Sequence, residues 1–167
     1  MINRRQLLLY TTIVAGGAAI TAGLTVYSWW DTPPEQPYTL LNQKEAHMVS
    51  LIACAAFPKG KAMSLDCAEA QMDRFFDLFL SNLTAEKSSL LKLLLQATER
   101  VSILSHGAYF SNLSYQQQQS CIENLLEHDQ HLVRSAYQSL IAILGMGYTT
   151  HPKVVYIIAP LHRCGYG

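Results

Sequence analysis

Residues 72–83 read Met-Asp-Arg-Phe-Phe-Asp-Leu-Phe-Leu-Ser-Asn-Leu, and this stretch decides the fold class. Its apolar side chains recur at the i, i+3, i+4, i+7 spacing of one helix face: Met72, Phe75, Phe76, Phe79, Leu80 and Leu83. The charged residues Asp73, Arg74 and Asp77 fall on the other face, where we expect them to be solvated. The pattern predicts an amphipathic helix that enters a core through its phenylalanine side.

The following segment predicts a longer helix that begins at a Thr84 cap and ends at Gly107. One apolar stripe along it consists of Leu90, Leu94, Ala97, Val101 and Leu104, and a second consists of Leu91, Leu95 and Thr98. Because the two stripes together form a wide apolar face, we expect this helix to lie at the centre of a bundle.

An earlier helix is predicted by Asn42 and Glu45, which have the spacing of a capping box. Val49, Ile52, Ala53 and Ala56 follow at helical spacing, and Phe57-Pro58 closes the helix.

Two more helices are predicted in the second half of the chain. Ser114 with Gln117 is a further capping-box pattern, and Cys121, Ile122, Leu125 and Leu126 form the apolar face that follows. We expect Asp129 to cap the last long helix and Gly145 and Gly147 to end it. Only residues 154–158 show a weak period-two alternation. These elements predict an all-α fold: an N-terminal signal or anchor helix, a compact bundle of about five helices, and an irregular C-terminal tail.

The N-terminal segment, residues 1–30, has only two charged side chains, Arg4 and Arg5. Paired arginines before a moderately apolar run resemble a twin-arginine export signal, and the alternative is an ordinary signal anchor with two positive-inside arginines. Residues 7–30 are long enough as a helix, about 36 Å, to span a bilayer. Because Tyr27-Ser28-Trp29-Trp30 offers no small-residue cleavage site, we favour retention as a membrane anchor, with the body on the periplasmic side of a bacterial inner membrane.

A proline-rich linker follows at residues 31–37, and we place the folded domain at residues 38–167. The whole chain has zero formal net charge, which argues against a nucleic-acid partner. Only 14% of its residues are charged, and the fraction stays at about 16% once residues 1–30 are removed, well below the roughly 25% of a typical soluble domain. This shortage predicts that part of the body is covered by a partner.

The four cysteines allow three full pairings, and an exported domain allows disulfides. We interpret Cys54 and Cys121 as small buried hydrophobes, because both lie on apolar helix faces. A disulfide between Cys67 and Cys164 is the pairing we predict, because both lie in loop-like surroundings.

Catalytic patterns are weak. His128 and His131 have a spacing that places both on one helix face, but no C-x-x-C supports a metal site or a c-type haem attachment. Ser105-His106-Gly107 lacks a nucleophile elbow. We therefore predict no catalytic, metal or cofactor site in this chain, and an enzyme that uses the two histidines and Cys164 is a minor alternative.

Several landmarks, taken in order, resemble the gluconate 2-dehydrogenase subunit 3 family. They are the arginine pair, the proline linker, Leu41-Asn42 with Glu45, Phe57-Pro58, Phe110, Leu113-Ser114, the segment 147–152 and the tail 160–167. The likeness covers nearly the whole chain, although each motif is short and the tail has His162-Arg163 where small residues and proline are usual.

The resemblance implies a non-catalytic small subunit of a membrane-associated sugar or alcohol dehydrogenase. The large subunit, a flavoprotein of the glucose-methanol-choline type, would carry FAD, and a third subunit would be a cytochrome with haem c. The small subunit would escort the folded large one through the twin-arginine pathway, and Tyr148, Pro152 and Tyr166 are the candidate partner contacts. The alternative is a stand-alone, membrane-anchored periplasmic helical protein with a binding or structural role.

Overall fold

The computed structural model describes residues 33–58, 65 and 69–158, and the side chains of residues 156–158 are excepted. Six α-helices and one 3-10 turn account for most of this part of the chain, and it contains no strand. The helices are α1 (Gln43–Ala56), α2 (Met72–Ser81), α3 (Ala85–His106), α4 (Tyr115–Leu126), α5 (His131–Thr150) and α6 (Pro152–Ile158), with the turn at Phe110–Asn112. The prediction of an all-α bundle is confirmed.

The core lies among α1, α2, α4 and α5. Helix α1 packs against α2 and α4, and α5 closes the other side against the same two helices. Their buried side chains have the predicted periodicity: Val49 and Ile52 in α1, Phe76 and Leu80 in α2, Ile122 in α4, and Leu140 and Leu144 in α5. Burying such large apolar side chains contributes about 1.5–3 kcal/mol each.

Helix boundaries follow local chemistry at three of the predicted positions. Asn42 and Glu45 form the capping box of α1, with Glu45 N–H donating to Asn42 Oδ1 at 2.9 Å and Asn42 N–H donating to Glu45 Oε2 at 3.0 Å. Ser114 and Gln117 form the predicted box at α4. Gly107 ends α3 in the left-handed region, with φ +72°, which glycine adopts without steric cost.

The predicted boundaries of α5 are wrong at both ends. Gln130, and not Asp129, occupies the N-cap position. Gly145 and Gly147 do not end the helix. It continues to Thr150, and Pro152 begins α6. Gly147 is buried, and a Cβ atom there would lie 2.4 Å from Cδ1 of Phe75. This glycine therefore permits a close contact between α5 and α2. Residues 154–158, which showed a weak strand-like alternation, are helical in α6.

The predicted place of α3 is confirmed for one of its two stripes only: Leu95 and Thr98 of the second stripe are fully buried, but the first stripe is not. This 22-residue helix lies at the periphery, where it contacts the 3-10 turn, α1 and the end of α2. The stripe expected to face inward is largely solvent-accessible: Leu90 and Leu104 are 49% and 79% exposed, and Ala97 is exposed.

Candidate partner-binding surfaces

The inner face of α3 contains one fully buried leucine, Leu95, and is otherwise polar, because the helix covers chain turns whose backbone groups need hydrogen-bond partners. Ser88 Oγ donates to the Leu80 carbonyl at 2.9 Å, and Ser102 Oγ donates to the Ala108 carbonyl at 2.7 Å. Glu99 accepts from Ser111 N–H at 2.9 Å. The buried serines and glutamate of α3 therefore form hydrogen bonds with backbone groups of the turns that the helix covers.

A buried ion pair continues this polar face. Lys92 Nζ lies 2.9 Å from Glu45 Oε2 and donates to the Leu40 carbonyl at 2.8 Å. The Glu45 side chain is 1% exposed, so it is held in the interior by both the capping box and this pair. Gln96 is the exception on the face, because its buried amide nitrogen and oxygen have no hydrogen-bond partner among the described residues.

The outer face of α3 is apolar as a result. We define the α3 seam as Leu90, Leu94, Ala97, Val101 and Leu104. The leucines at its two ends and Ala97 are exposed, and Leu94 and Val101 are partly exposed. Contiguous exposed apolar surface is typical of interaction sites, and this seam is a candidate site of that kind.

A second candidate surface is an apolar groove with a volume of about 310 Å³ between the C-terminal ends of α1 and α5. We define the α1–α5 groove by its lining residues: Ala56, Phe57, Pro58, Gly145, Tyr148 and Thr149. The rings of Phe57 and Tyr148 are stacked, with centroids 5.2 Å apart and planes 12° apart. Tyr148 is 4% exposed and its hydroxyl lies 3.4 Å from the Leu65 carbonyl, so it forms the floor of the groove.

Pro152 and Tyr166 are the two other partner-contact candidates from the sequence analysis. Pro152 is exposed at the start of α6. Tyr166, Arg4 and Arg5 lie outside the described residues, as do residues 7–30. Within the part of the chain that the structure describes, no helix is long and apolar enough to cross a membrane.

Asp73 and Asp77 of α2 form hydrogen bonds with residues 38–41, the segment that precedes α1. We expected both carboxylates to be solvated. The Asp77 carboxylate accepts from the N–H groups of Thr39, Leu40 and Leu41 at 2.8–2.9 Å. Burial raises the pKa of Asp77, but these donors outweigh burial and hold the pKa below its ordinary value. The Tyr38 hydroxyl donates to Asp73, and this bond, with burial, raises the pKa of Tyr38 to about 12. The expectation of a solvated face is therefore wrong for Asp77, which is 6% exposed.

Cys54 is disulfide-bonded and Cys121 is a free, buried thiol whose pKa is raised by burial. The interpretation of Cys121 as a small buried hydrophobe is confirmed, and the same interpretation of Cys54 is wrong. Cys67 and Cys164 lie outside the described residues. The predicted Cys67–Cys164 pairing therefore stays a prediction.

His106, His128 and His131 lie at or next to helix ends and are exposed or partly exposed. His128 Nδ1 accepts from the Gln130 N–H at 3.1 Å, and His131 Nδ1 lies 3.2 Å from Ser135 Oγ. Ser105 Oγ lies 2.7 Å from His106 Nδ1 in an exposed pair. Among the described residues, no three histidine, cysteine or acidic side chains are grouped to hold a metal ion.

Comparisons of the chain with protein-family models, with curated proteins and with solved structures found no match in any of the three. The geometry described above defines the class of protein no further than an all-α helical domain with two exposed apolar surfaces.

Proposed function

We propose that this chain is the non-catalytic small subunit of an exported, membrane-associated dehydrogenase that contains FAD. The chain escorts the folded catalytic subunit, a flavoprotein of the glucose-methanol-choline type, through the twin-arginine pathway and stabilises it afterwards. Haem c belongs to a third, cytochrome subunit. The substrate class is a sugar or an alcohol, and the complex resides at the periplasmic side of the inner membrane.

The observation that carries this proposal is the α1–α5 groove. Two of the landmarks behind the family resemblance, Phe57-Pro58 and the segment 147–152, are about 90 residues apart in sequence. They meet in the groove, where Phe57 stacks on Tyr148. Apolar concave surfaces of this size accept side chains of a partner, so the groove is the proposed docking site for the catalytic subunit.

Two sequence features support the same function. Arg4 and Arg5 stand before an uncharged run, which is the pattern of a twin-arginine signal. The body has few charges, and obligate interfaces are more apolar than free protein surfaces. An export signal on a body that binds another polypeptide is the combination that an escort requires.

The docking site is tested by placing a charge at the rim of the groove in the tagged full chain, purified from envelopes of its native host. Thr149→Arg introduces a guanidinium among apolar lining residues, whereas Thr150→Arg places the same charge on the exposed neighbour outside the lining. We expect wild type and Thr150→Arg to copurify with a larger polypeptide that has flavin absorbance and reduces an artificial electron acceptor. Thr149→Arg should lose most of that flavoprotein. Equal yields of flavoprotein with both variants would exclude the groove as the docking site.

The escort role is tested separately by replacing Arg4 and Arg5 with lysine. We expect the flavoprotein and its dehydrogenase activity to remain in the cytoplasmic fraction, because the charge is kept and the arginine pair is lost. Normal periplasmic activity in this variant would contradict the escort role. If no flavoprotein copurifies from any variant and the purified chain stays folded and stable by itself, the stand-alone binding protein is the better description.

A further inference from the structure

The α3 seam has a spacing that the proposed function does not use. Its five residues, from Leu90 to Leu104, are separated by four, three, four and three positions. This is the a/d spacing of a coiled coil, in which the apolar edge of one helix packs against another helix. Here the edge is largely solvent-accessible, and the buried side of α3 is mainly polar, with Leu95 as its fully buried apolar residue. The shape and spacing of the seam therefore fit a helix as its occupant.

We propose that the occupant is the same seam of a second copy of this chain, packed antiparallel. Charge complementarity selects this arrangement. Glu86 and Arg100 lie two heptads apart on one edge of the seam, and neither forms an ion pair within the described part of the chain. In an antiparallel pair, Arg100 of each copy lies beside Glu86 of the other. A parallel pair would instead place them beside Ser105 and Leu91, which are uncharged.

The side-chain sizes fit the same arrangement. Antiparallel packing of the a and d positions places Leu90 against Val101 of the second copy and Leu94 against Ala97, and the two-fold axis repeats both layers. Large residues thus face smaller ones at each layer, which allows the helices to approach closely. The seam covers about 21 Å of helix. A contact of this length buries less surface area than a standard protein–protein interface, so we expect the dimer to dissociate reversibly.

The first experiment measures self-association of the full chain in detergent by sedimentation equilibrium. Ala97→Glu places two carboxylates in the centre of the paired seams and should weaken the dimer by about a hundredfold or more. Leu132→Glu is the matched control, because Leu132 is a 72% exposed leucine outside the seam, at the start of α5. We expect the control to associate like wild type. A wild-type chain that stays monomeric, or equal weakening by both variants, would overturn the proposal.

The pairing of Glu86 with Arg100 across the seam has its own test. Arg100→Glu and Glu86→Arg should each weaken the dimer by about fivefold, because each replaces two attractive contacts with repulsive ones. The double variant should restore wild-type association, because the exchanged charges again face each other across the two-fold axis. Failure of the double variant to restore association would exclude the proposed register.

Cross-linking decides orientation. Leu90→Cys and Val101→Cys, placed on differently tagged copies, should form a disulfide between the copies in the mixture of the two variants. Either variant mixed with itself should not, because the like positions lie about 16 Å apart along the antiparallel helices. Bonds between like positions would show a parallel pair and overturn the proposal. These outcomes do not depend on copurification of a flavoprotein, so the proposed function and this inference can fail separately.

Discussion

Helices α2 and α3 both have an apolar face at helical spacing, but they turn it in opposite directions. In α2 the apolar side enters the core, where Phe76 and Leu80 are fully buried. In α3 the polar side is buried, and the apolar seam from Leu90 to Leu104 faces solvent. The comparison shows that the face of a helix that is buried depends on the groups against which that helix packs. Helix α2 packs mainly on other helices, whereas α3 also covers turns whose carbonyl and N–H groups form hydrogen bonds with its side chains.

The largest expected effect compares the two apolar faces directly. Phe76→Ala should lower the free energy of unfolding by about 3–5 kcal/mol, because it removes a fully buried ring and leaves a cavity. Leu104→Ala on the α3 seam should change it by less than about 0.5 kcal/mol, because that side chain is 79% exposed. Urea unfolding followed by circular dichroism measures both. A cost for Leu104→Ala close to that of Phe76→Ala would show that the seam is buried within the monomer.

The next effect concerns the polar side of α2. Asp77→Asn should destabilise the fold by about 2 kcal/mol, because hydrogen bonds to a charged acceptor are stronger and the amide cannot accept all three N–H donors. Asp129→Asn, on an exposed residue, is the control and should be close to neutral in the same unfolding experiment.

Acid titration of the same two variants provides a second check on Asp77. Its pKa is lower in the folded than in the unfolded state, so its stabilisation is complete above the unfolded pKa, near 3.9. The stabilisation is lost as the pH falls from there through the folded pKa. Asp77→Asn should therefore flatten the decline in stability as the pH falls below the unfolded pKa of an aspartate. An unchanged decline would contradict this assignment.

A smaller effect tests the contact between α2 and α5. Gly147→Ala should cost about 1–3 kcal/mol, because the added Cβ would lie 2.4 Å from the Phe75 ring and forces the two helices apart. Gly145→Ala is the matched control, since its Cβ would be at an ordinary 3.6 Å from Phe57. The control should be neutral or stabilising by up to about 1 kcal/mol, because alanine favours the helix. Thermal unfolding of both variants distinguishes the two cases.

The smallest expected effect concerns the polar side of α3. Gln96→Leu should be neutral or should stabilise by about 1 kcal/mol, because the buried amide that it replaces has no hydrogen-bond partner in the part of the chain that the structure describes. Glu99→Leu should instead destabilise, since it leaves the Ser111 N–H and hydroxyl without their acceptor. Destabilisation by Gln96→Leu as large as that by Glu99→Leu would indicate that Gln96 has a bound partner, such as an ordered water.

The amino-acid sequence by itself determined the helical class, most of the helix boundaries and most of the buried apolar positions. These features depend on neighbours within a few residues. Capping at Asn42, Glu45 and Gly107 and the periodicity of α2 are local properties that the chain carries wherever it folds.

Only the tertiary structure decided which face of α3 is buried, that Asp77 is an internal acceptor, that α5 continues past Gly145 and Gly147, and that Cys54 is bonded. Each of these depends on a partner elsewhere in the chain: Glu45 and the Leu40 carbonyl beside Lys92, the N–H groups at residues 39–41, the Phe75 ring beside Gly147, and a second cysteine. Periodicity records only that a helix has two unlike faces. Tertiary packing decides which groups contact each face of a helix, and in this fold the α3 seam stays exposed.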